Sequence, residues 1–251
     1  MVVLVVEIAL AGVVTSWIDN LWTEDGSAQH GRVLAVDIEG NAYLAASVSG
    51  GGIDRNINVV KYNPNGGRSW KQTYTSAGSA EDYVEAMALD PFGHLYVGGT
   101  AAGSGLLLKY DTAGNLLFSK TLTGTVSSMA VDDAGNVFTT GSLTTMYDST
   151  GALRWTGNAG DRIVLSREFG LYAFKNGPSS FDCFHYNYDG DLLWEQTFDH
   201  SRTDKALALA VDSLGAVYVG GYADQSGWRA ILVKYTHDGI LQWDHVFVGQ
   251  A

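Results

Sequence analysis

The chain is poor in positive charge, in proline and in cysteine. Its 251 residues include 15 lysines and arginines against 27 aspartates and glutamates, and the formal net charge is -12. Nucleic-acid binding requires a stripe of basic residues that faces the phosphates, so we expect no nucleic-acid partner. The one cysteine, Cys183, excludes an internal disulfide. Its neighbours Phe181 and Phe184 indicate a half-buried strand, in which the thiol packs in the core and is unreactive.

The sequence also lacks a hydrophobic run long enough to cross a bilayer. The most apolar stretch, residues 1–14, is shorter than a membrane-spanning helix, so no membrane insertion is expected. Ala9-Leu10-Ala11 within this stretch allows a signal-peptide interpretation. No basic residue precedes the apolar run, however, and Glu7 interrupts it. We therefore favour the interpretation of this segment as part of the repeats described below.

Helical periodicity is missing as well. Nowhere do apolar residues recur at the helical period for about three turns. The apolar runs are short and alternating, and turn residues bound them on both sides. This pattern predicts an all-β fold.

What the sequence does contain is a repeated unit of about forty residues, the size of one propeller blade. The clearest copy extends from Ala210 to Trp243. Two short apolar runs flank a turn that ends at Gly215, and two more flank a turn that ends at Gly239. The unit is therefore predicted to form four short strands with two tight hairpins and one polar loop between them.

The second hairpin of this unit recurs with a tyrosine, then Asp, Asn or Thr, then a glycine three places further on. Its copies begin at Tyr62, Tyr110, Tyr147, Tyr186 and Tyr235. Tryptophan follows the glycine by four places at Trp70, Trp155, Trp194 and Trp243, and Phe118 takes that place in the remaining copy. A second set of aromatic residues recurs on the second strand, and we assign both sets to the core: Tyr43, Tyr96, Phe138, Tyr172 and Tyr218.

The first hairpin recurs with a leading aspartate at Asp37, Asp90, Asp132 and Asp212. Both hairpins use one turn chemistry, in which a leading Asp or Asn accepts backbone hydrogen bonds and a glycine takes positive φ. These carboxylates are therefore interpreted as turn residues and not as catalytic acids. The fourth full unit departs from the pattern, because Ser166 stands where Asp is expected and Gly170 comes one place late. We expect that unit to be the least regular.

The repeats predict one domain over residues 1–251. A half unit, 1–30, is followed by five full units at 31–85, 86–127, 128–162, 163–206 and 207–251. Trp17 in the half unit corresponds to Trp243 in the last unit. The predicted fold is a β-propeller with five four-stranded antiparallel blades and one two-stranded half unit, which makes five to six blades. The sequence leaves open whether the ring is closed or the chain is a piece of a longer protein.

With these motifs the chain resembles the bacterial β-propeller repeat family known as SBBP, over about residues 31–248. The stretch from Asp148 to Trp155 is also similar to the PQQ-like repeat. The resemblance implies a secreted, cell-surface or periplasmic protein, either monomeric or a module of a longer chain. It is specific for a fold and says little about function.

Residue patterns that carry catalysis or bind metals are missing. The six histidines show no metal-ligand spacing, and no nucleophile elbow is present. The segment from Asn187 to Glu195 departs from the calcium-loop pattern. No catalytic residue, metal site or cofactor is therefore predicted, and the chain is expected not to be an enzyme.

Binding residues are expected where the repeats disagree, on the variable connections. Five residues there do not recur at equivalent places and are predicted to bind a ligand: Arg162, His200, Arg202, Trp228 and Arg229. Asp82 and Asp204 are added as candidates, although each lies eight residues before its unit's turn aspartate and this repetition favours a structural role.

The leading hypothesis is a non-catalytic interaction module that binds protein, peptide or carbohydrate through its variable loops or central channel. Exposed aromatic residues such as Trp22, Tyr83 and Trp228 suit flat sugar or peptide surfaces. One alternative is an enzyme, either a propeller-type lyase or lactonase or a quinoprotein. A further alternative is a structural spacer in a larger surface protein.

Overall fold

The computed structural model describes residues 4–10, 13–19, 29–49, 55–78, 80–224 and 227–247. These residues form strands joined by turns, and they include no helix. Among them, accordingly, no helix is long and apolar enough to span a bilayer. The all-β prediction is confirmed. The chain divides into two compact units, Met1–Val126 and Ser127–Ala251.

The first unit contains three antiparallel sheets. β1 (Leu4–Leu10) and β2 (Val13–Asp19) form a two-stranded sheet, which confirms the predicted half unit. Two four-stranded sheets follow, each with its strands in chain order. Sheet I consists of β3 (Gln29–Val36), β4 (Ala42–Ser49), β5 (Arg55–Tyr62) and β6 (Arg68–Tyr74). Sheet II consists of β7 (Asp82–Leu89), β8 (Leu95–Ala101), β9 (Ser104–Tyr110) and β10 (Leu116–Leu122).

The second unit contains three four-stranded sheets with the same strand order. Sheet III consists of β11 (Val126–Val131), β12 (Val137–Gly141), β13 (Thr144–Tyr147) and β14 (Leu153–Gly157). Sheet IV consists of β15 (Arg162–Ser166), β16 (Gly170–Asn176), β17 (Phe181–Tyr186) and β18 (Leu192–Phe198). Sheet V consists of β19 (Asp204–Val211), β20 (Val217–Asp224), β21 (Trp228–Tyr235) and β22 (Leu241–Phe247). Five four-stranded antiparallel sheets agree with the predicted propeller of five to six blades.

The hairpin turns are built as their sequences predict. In the turn that Asp90 heads, the backbone N–H groups of Phe92 and His94 both donate to Asp90 Oδ1 at 2.9 Å. Gly93 takes a φ of 82°. The same backbone hydrogen bond from the residue two places on is made at Asp37, Asn63, Asp111, Asp132, Asp148 and Asp212. The turn carboxylates are therefore occupied by their own backbone.

The first hairpin of sheet IV departs from this pattern, as expected. Ser166 heads it, and its hydroxyl accepts a hydrogen bond from Phe169 N at 3.3 Å. In sheet V the Tyr218 hydroxyl donates to the turn aspartate, Asp212. The equivalent hydroxyl, that of Tyr172, has no carboxylate to meet and is buried without a partner among the described residues.

Within each unit the core lies between consecutive sheets, and recurring aromatic residues line it. Tyr43, Tyr96, Phe138 and Tyr172 are completely buried, which confirms their assignment. Three of the outer-strand tryptophans, all except Trp243 of the last sheet, pack on the second turn of the next sheet in their unit. Trp194 Nε1 donates to the carbonyl of His237 at 2.7 Å. The same contact joins Trp70 to Thr112 and Trp155 to Tyr188.

The first strand of several sheets begins before the predicted boundary of its unit. β7 begins at Asp82 and β19 begins at Asp204, ahead of the predicted starts at 86 and 207. Both aspartates are buried strand residues. From the sequence, both aspartates are expected in the connections between repeat units. Because their carboxylates are hydrogen-bonded, they can instead lie buried at the start of a strand.

Candidate functional site

One end of sheet V brings together five of the seven predicted binding residues. In the sheet register Asp204 pairs with Ala223, and Ala223 in turn pairs with Arg229. Trp228 is paired with Asp224, whose carbonyl accepts a hydrogen bond from Arg202 N at 3.3 Å. The remaining member, His200, donates its backbone N–H to Asp204 Oδ2 at 2.6 Å. The variable connections on either side of β19 to β21 therefore meet at this end.

The other two predicted residues lie elsewhere. Arg162 is the first residue of β15 in sheet IV, where it pairs with Phe174 and is exposed. Asp82 belongs to sheet II in the first unit. The structure thus places one candidate cluster at the end of sheet V and two separate residues.

A cavity of about 420 Å³ opens at this end of sheet V. It is lined by Leu207, Gly221, Tyr222, Trp228, Arg229 and Ala230. A bulge in β19 makes part of its wall, because Ala206 and Ala208 pair with Gly221 and Gly220 and leave Leu207 as the extra residue. A side chain at Gly221 would collide with the carbonyl of Lys205, so glycine is required for the bulge to pack against β20. Small-molecule sites typically occupy about 300–1,000 Å³, and this cavity falls in that range.

Two aromatic rings form the wall of the cavity. The rings of Tyr222 and Trp228 meet edge to face, with centroids 4.9 Å apart and an interplanar angle of 90°. Trp228 is 68% exposed, although it lies on a strand. A large aromatic side chain on a rigid strand at a cavity mouth is typical of a surface that binds a ligand.

Tyr222 was missed in the sequence analysis, although a signal for it exists. It stands four residues after the second-strand aromatic Tyr218, where the other full units have Ser47, Thr100, Ser142 and Asn176. Two of those polar residues tie their sheet to the next one. Ser47 Oγ accepts from Val84 N at 3.0 Å, and Asn176 Oδ1 accepts from Ala206 N at 2.8 Å. In sheet V the equivalent residue packs on Trp228 instead.

Arg229 and Arg202 bring positive charge to this end of the sheet. Across the described ranges, neither guanidinium forms an ion pair or a hydrogen bond with another residue. Two arginines in or beside hairpin turns differ in this respect. Arg154 pairs with Asp148 at 2.6 Å, and Arg167 pairs with Asp133 at 3.2 Å.

Asp204 and Asp82 are fully buried. Asp204 accepts hydrogen bonds from the backbone of His200 and from Ser201 N and Oγ. Asp82 accepts from Ser76 N at 2.8 Å and from Ser76 Oγ at 2.7 Å. Both carboxylates thus fix the connection that precedes their sheet, which agrees with the structural alternative, and ligand binding by them stays a prediction.

His200 contacts an acidic residue. Its Nδ1 lies 3.3 Å from Asp244 Oδ2, and its side chain is 54% exposed. The carboxylate thereby orients the ring. This pair is a polar surface contact between the connection before sheet V and its last strand.

The other exposed aromatic residues named from the sequence do not join the cluster. Trp22 lies outside the described residues, as does the side chain of Trp17. Tyr83 lies in the first unit, where the guanidinium of Arg55 stacks over its ring at 5.1 Å. A hydrogen bond to the Glu81 side chain raises the pKa of Tyr83. This ring is therefore engaged within its own unit.

Cys183 is buried, as predicted. Burial, with a smaller effect of Asp182, raises the pKa of its thiol and keeps it protonated. In the part of the chain that the structure describes, no three His, Cys, Asp or Glu side chains lie close enough to hold a metal ion.

Sequence comparisons identify no relative. No family model matches the chain, and no curated protein is detectably similar to it. The resemblance to SBBP and PQQ-like repeats therefore rests on the repeat residues alone.

Solved structures do match. The fold is shared with streptogramin B lyase. That structure has a TM-score of 0.60 at 12% identity, over 96% of this chain and 74% of the lyase. A catalytically inactive virginiamycin B lyase from Staphylococcus aureus with quinupristin gives a TM-score of 0.54 at 9% identity, over 96% of this chain and 87% of the other. A Lactobacillus plantarum protein gives 0.57 at 18% identity, over 91% and 86%.

These neighbours contradict the prediction that the chain is not an enzyme. The prediction rested on missing catalytic spacings, but a fold can bring catalytic groups together from separate strands, so their sequence positions need show no motif. At such low identity the likeness shows the fold alone. The proteins that share this fold include an enzyme. The fold therefore gives no ground for excluding catalysis by this chain.

Proposed function

We propose that the chain binds a carbohydrate in the cavity at the end of sheet V. The observation that carries the proposal is the edge-to-face pair of Tyr222 and Trp228 at the cavity mouth. Pyranose rings present flat faces of C–H groups, which pack well on exposed indole and phenol rings. The hydroxyl groups lie at the edge of the pyranose ring. They therefore remain free to form hydrogen bonds with water or with neighbouring backbone groups.

A sugar fits this site better than an extended peptide. A peptide that binds to a sheet usually adds a strand along a free edge, so that backbone hydrogen bonds supply much of its affinity. The cavity instead lies across β19, β20 and β21, and β20 is paired on both sides. The wall offers aromatic surface and no free run of backbone groups from that central strand.

Substitution of the two aromatic residues tests the proposal. Binding of the unmodified protein to a broad glycan array identifies the sugar, and titration calorimetry then compares variants. We expect Trp228→Ala and Tyr222→Ala to weaken binding about tenfold or more, since central aromatic residues dominate such sites. Leu214→Ala, an exposed residue in a turn of the same sheet, is the matched control and should bind normally.

A negative array would contradict the proposal, as would normal binding by both aromatic variants. Thermal unfolding of each variant establishes that loss of binding is not loss of fold. Because the fold is shared with a lyase, the bound sugar is recovered after incubation and analysed for cleavage products by mass spectrometry. New products would show that the site also performs chemistry on its ligand.

The repeat residues support assignment to the SBBP type of propeller repeat. They support, through that resemblance, a secreted, cell-surface or periplasmic location for a monomeric protein or a module of a longer one. A location outside the cytoplasm also agrees with a carbohydrate ligand. Cell fractionation followed by immunoblotting tests the location, and an entirely cytosolic signal would contradict it.

A further inference from the structure

We propose that the carbohydrate taken by this cavity carries a free amino group, protonated to an ammonium, and that the carboxylate of Asp224 binds it beside the rings of Trp228 and Tyr222. This inference rests on the proposed function and specifies its ligand class. An ammonium group offers three hydrogen-bond donors and a positive charge. A carboxylate accepts those hydrogen bonds, and the face of an aromatic ring attracts the charge.

Asp224 and the two aromatic residues project from one face of sheet V. Strand β20 keeps an unbroken register with β21, in which Asp224 pairs with Trp228. Residues that lie opposite each other in this way share a face, with their Cβ atoms about 4.5–5.5 Å apart. Tyr222 stands two places before Asp224 and therefore lies on that face as well. The ring contact between Tyr222 and Trp228 agrees with this placement.

The opposite face of the same strands is the core side of sheet V. Ala223 of β20 and Ile231 of β21 are buried there, in the cluster that sheets IV and V share. Arg229 follows Trp228 directly and pairs with Ala223, so its side chain belongs to the core side. The face that carries the cavity therefore presents the carboxylate of its strands and not the guanidinium.

The carboxylate of Asp224 can accept hydrogen bonds from a ligand. Its Oδ1 accepts one from Gly227 N at 3.0 Å. Among the described residues it forms no ion pair and accepts no further hydrogen bond. A carboxylate has about four acceptor sites in all. A charged acceptor beside two aromatic rings thus remains open to a donor that a ligand supplies.

The cations in and beside sheet V do not neutralise this carboxylate within the described ranges. Lys205 pairs with Tyr222, but its Nζ donates to two carbonyl oxygens in the loop between β16 and β17. Lys234 lies near the turn end of β21, about 20 Å along the strand from its first residue. Arg202 contacts Asp224 through the backbone, where its N–H donates to the Asp224 carbonyl at 3.3 Å.

An amino sugar uses both parts of the site. Its pyranose ring packs on Trp228, which is 68% exposed, while its ammonium group reaches Asp224. The net charge of -12 attracts a cationic ligand at long range. A metal ion fits less well, because no three His, Cys, Asp or Glu side chains in the described ranges lie close enough to hold one. The site is therefore assigned to a saccharide with an unacetylated amino sugar.

The test uses the full chain and three oligosaccharides of equal length and linkage: a glucosamine oligomer, its N-acetylated form and the corresponding glucose oligomer. A second set built on galactosamine covers the other configuration at C4. Acetylation removes the charge and adds an apolar group, whereas the glucose oligomer has a hydroxyl group in place of the amine. In titration calorimetry we expect the amino sugar to bind about fivefold or more tightly than either neutral sugar. The difference should shrink as salt is added.

Two asparagine variants separate the local carboxylate from the charge of the whole chain. Asp224→Asn keeps an oxygen that can accept from Gly227 N, and it should abolish the preference for the amino sugar. Trp228→Ala should weaken the binding of all three sugars. Asp238→Asn is the matched control, because it removes an exposed negative charge at the turn end of the same sheet. Asn65 stands at the equivalent place in sheet I, so this variant should fold and keep the preference.

Equal or weaker binding of the amino sugar in both sets would overturn the inference while the carbohydrate proposal stands. An equal effect of the two asparagine variants would overturn it as well. Thermal unfolding establishes that each variant is folded, and if Asp224→Asn is not, the comparison of the three sugars on the unmodified protein decides. If no sugar in either set or on the glycan array binds, the proposed function itself fails.

Discussion

At the scale of single residues, His185 shows what happens when one repeat departs from the others. In three other sheets a lysine on the third strand lies over the second-strand tyrosine, as Lys61 does over Tyr43 at 5.0 Å. In sheet IV the ring of His185 stacks on Tyr172 instead, at a centroid distance of 4.1 Å. His185 is 3% exposed, and its Nε2 lies 2.6 Å from the carbonyl of Phe169. With Nδ1 buried and without a partner among the described residues, the ring is held neutral.

This arrangement predicts that acid weakens the fold through His185. Burial is the main reason that its pKa lies below the usual value. The unfolded chain takes up a proton near the ordinary histidine pKa of about 6.5 while the folded chain does not. The contribution to stability is thus fully present above that pH and is lost as the pH falls through the range below it.

Urea unfolding measured at several values between about pH 8 and about pH 5 checks this expectation. The free energy of unfolding should fall more steeply with acid in the unmodified protein than in His185→Gln. The turn carboxylates do not confuse the comparison, because groups such as Asp111, whose pKa is lowered by Asn115, titrate below this range. Parallel pH profiles for the two proteins would show that the ring is not held neutral.

At the scale of the structural element, the unit of packing is a tryptophan from one sheet laid on a turn of the next. The Trp194 ring covers Gly239, where a φ of 81° already favours glycine. A Cβ at Gly239 would lie 2.7 Å from the indole. Gly190 is covered by Trp155, and Gly114 by Trp70, in the same way. At these three positions glycine is therefore favoured twice, by its positive φ and by the indole that lies against it.

Comparison of two alanine variants separates these reasons. Gly103 has a φ of 79° and open space around its Cβ position, so Gly103→Ala carries the backbone strain alone. We expect that variant to lose about 1 kcal/mol of unfolding free energy, and Gly239→Ala to lose about 2–4 kcal/mol. Chemical denaturation measures both. Equal losses would mean that the indole moves aside at no cost.

The repeats explain how far the sequence predicts the structure. Strand number, turn chemistry and buried aromatic positions could all be predicted, because each is a local pattern that recurs. Trp228 and Arg229 could be selected as candidates because they do not recur. The wall of the cavity could not be predicted from the sequence, because Leu207 and Tyr222 come together only through a strand bulge and the sheet register. Asp82 and Asp204 show the reverse case, because a carboxylate near a connection proved to be buried and hydrogen-bonded.

At the scale of the whole molecule, net charge and fold give different kinds of information. The fold is one that an enzyme also uses, so it leaves binding and catalysis equally open. The net charge of -12 bears directly on partners, because it produces a long-range repulsion of polyanions. Local cations at the end of sheet V act only over short distances in salt.

A polyanion such as duplex DNA is therefore expected not to bind. Fluorescence anisotropy with a labelled duplex at about 50 mM salt tests this, since low salt favours any phosphate contact. A basic DNA-binding protein provides the positive control. Micromolar binding that weakens steeply with salt would contradict the expectation.

The indole contact runs in one direction along each unit, from a sheet to its successor. A repeat excised at its sheet boundaries would keep its own outer-strand tryptophan. It would lose the tryptophan of the preceding sheet, which packs on its second turn. In shortened or lengthened versions of this protein, each sheet with such a tryptophan therefore has to be followed by a sheet whose second turn can accept the indole. Replacement of the outer strand of sheet IV should therefore destabilise the second hairpin of sheet V before it affects sheet III.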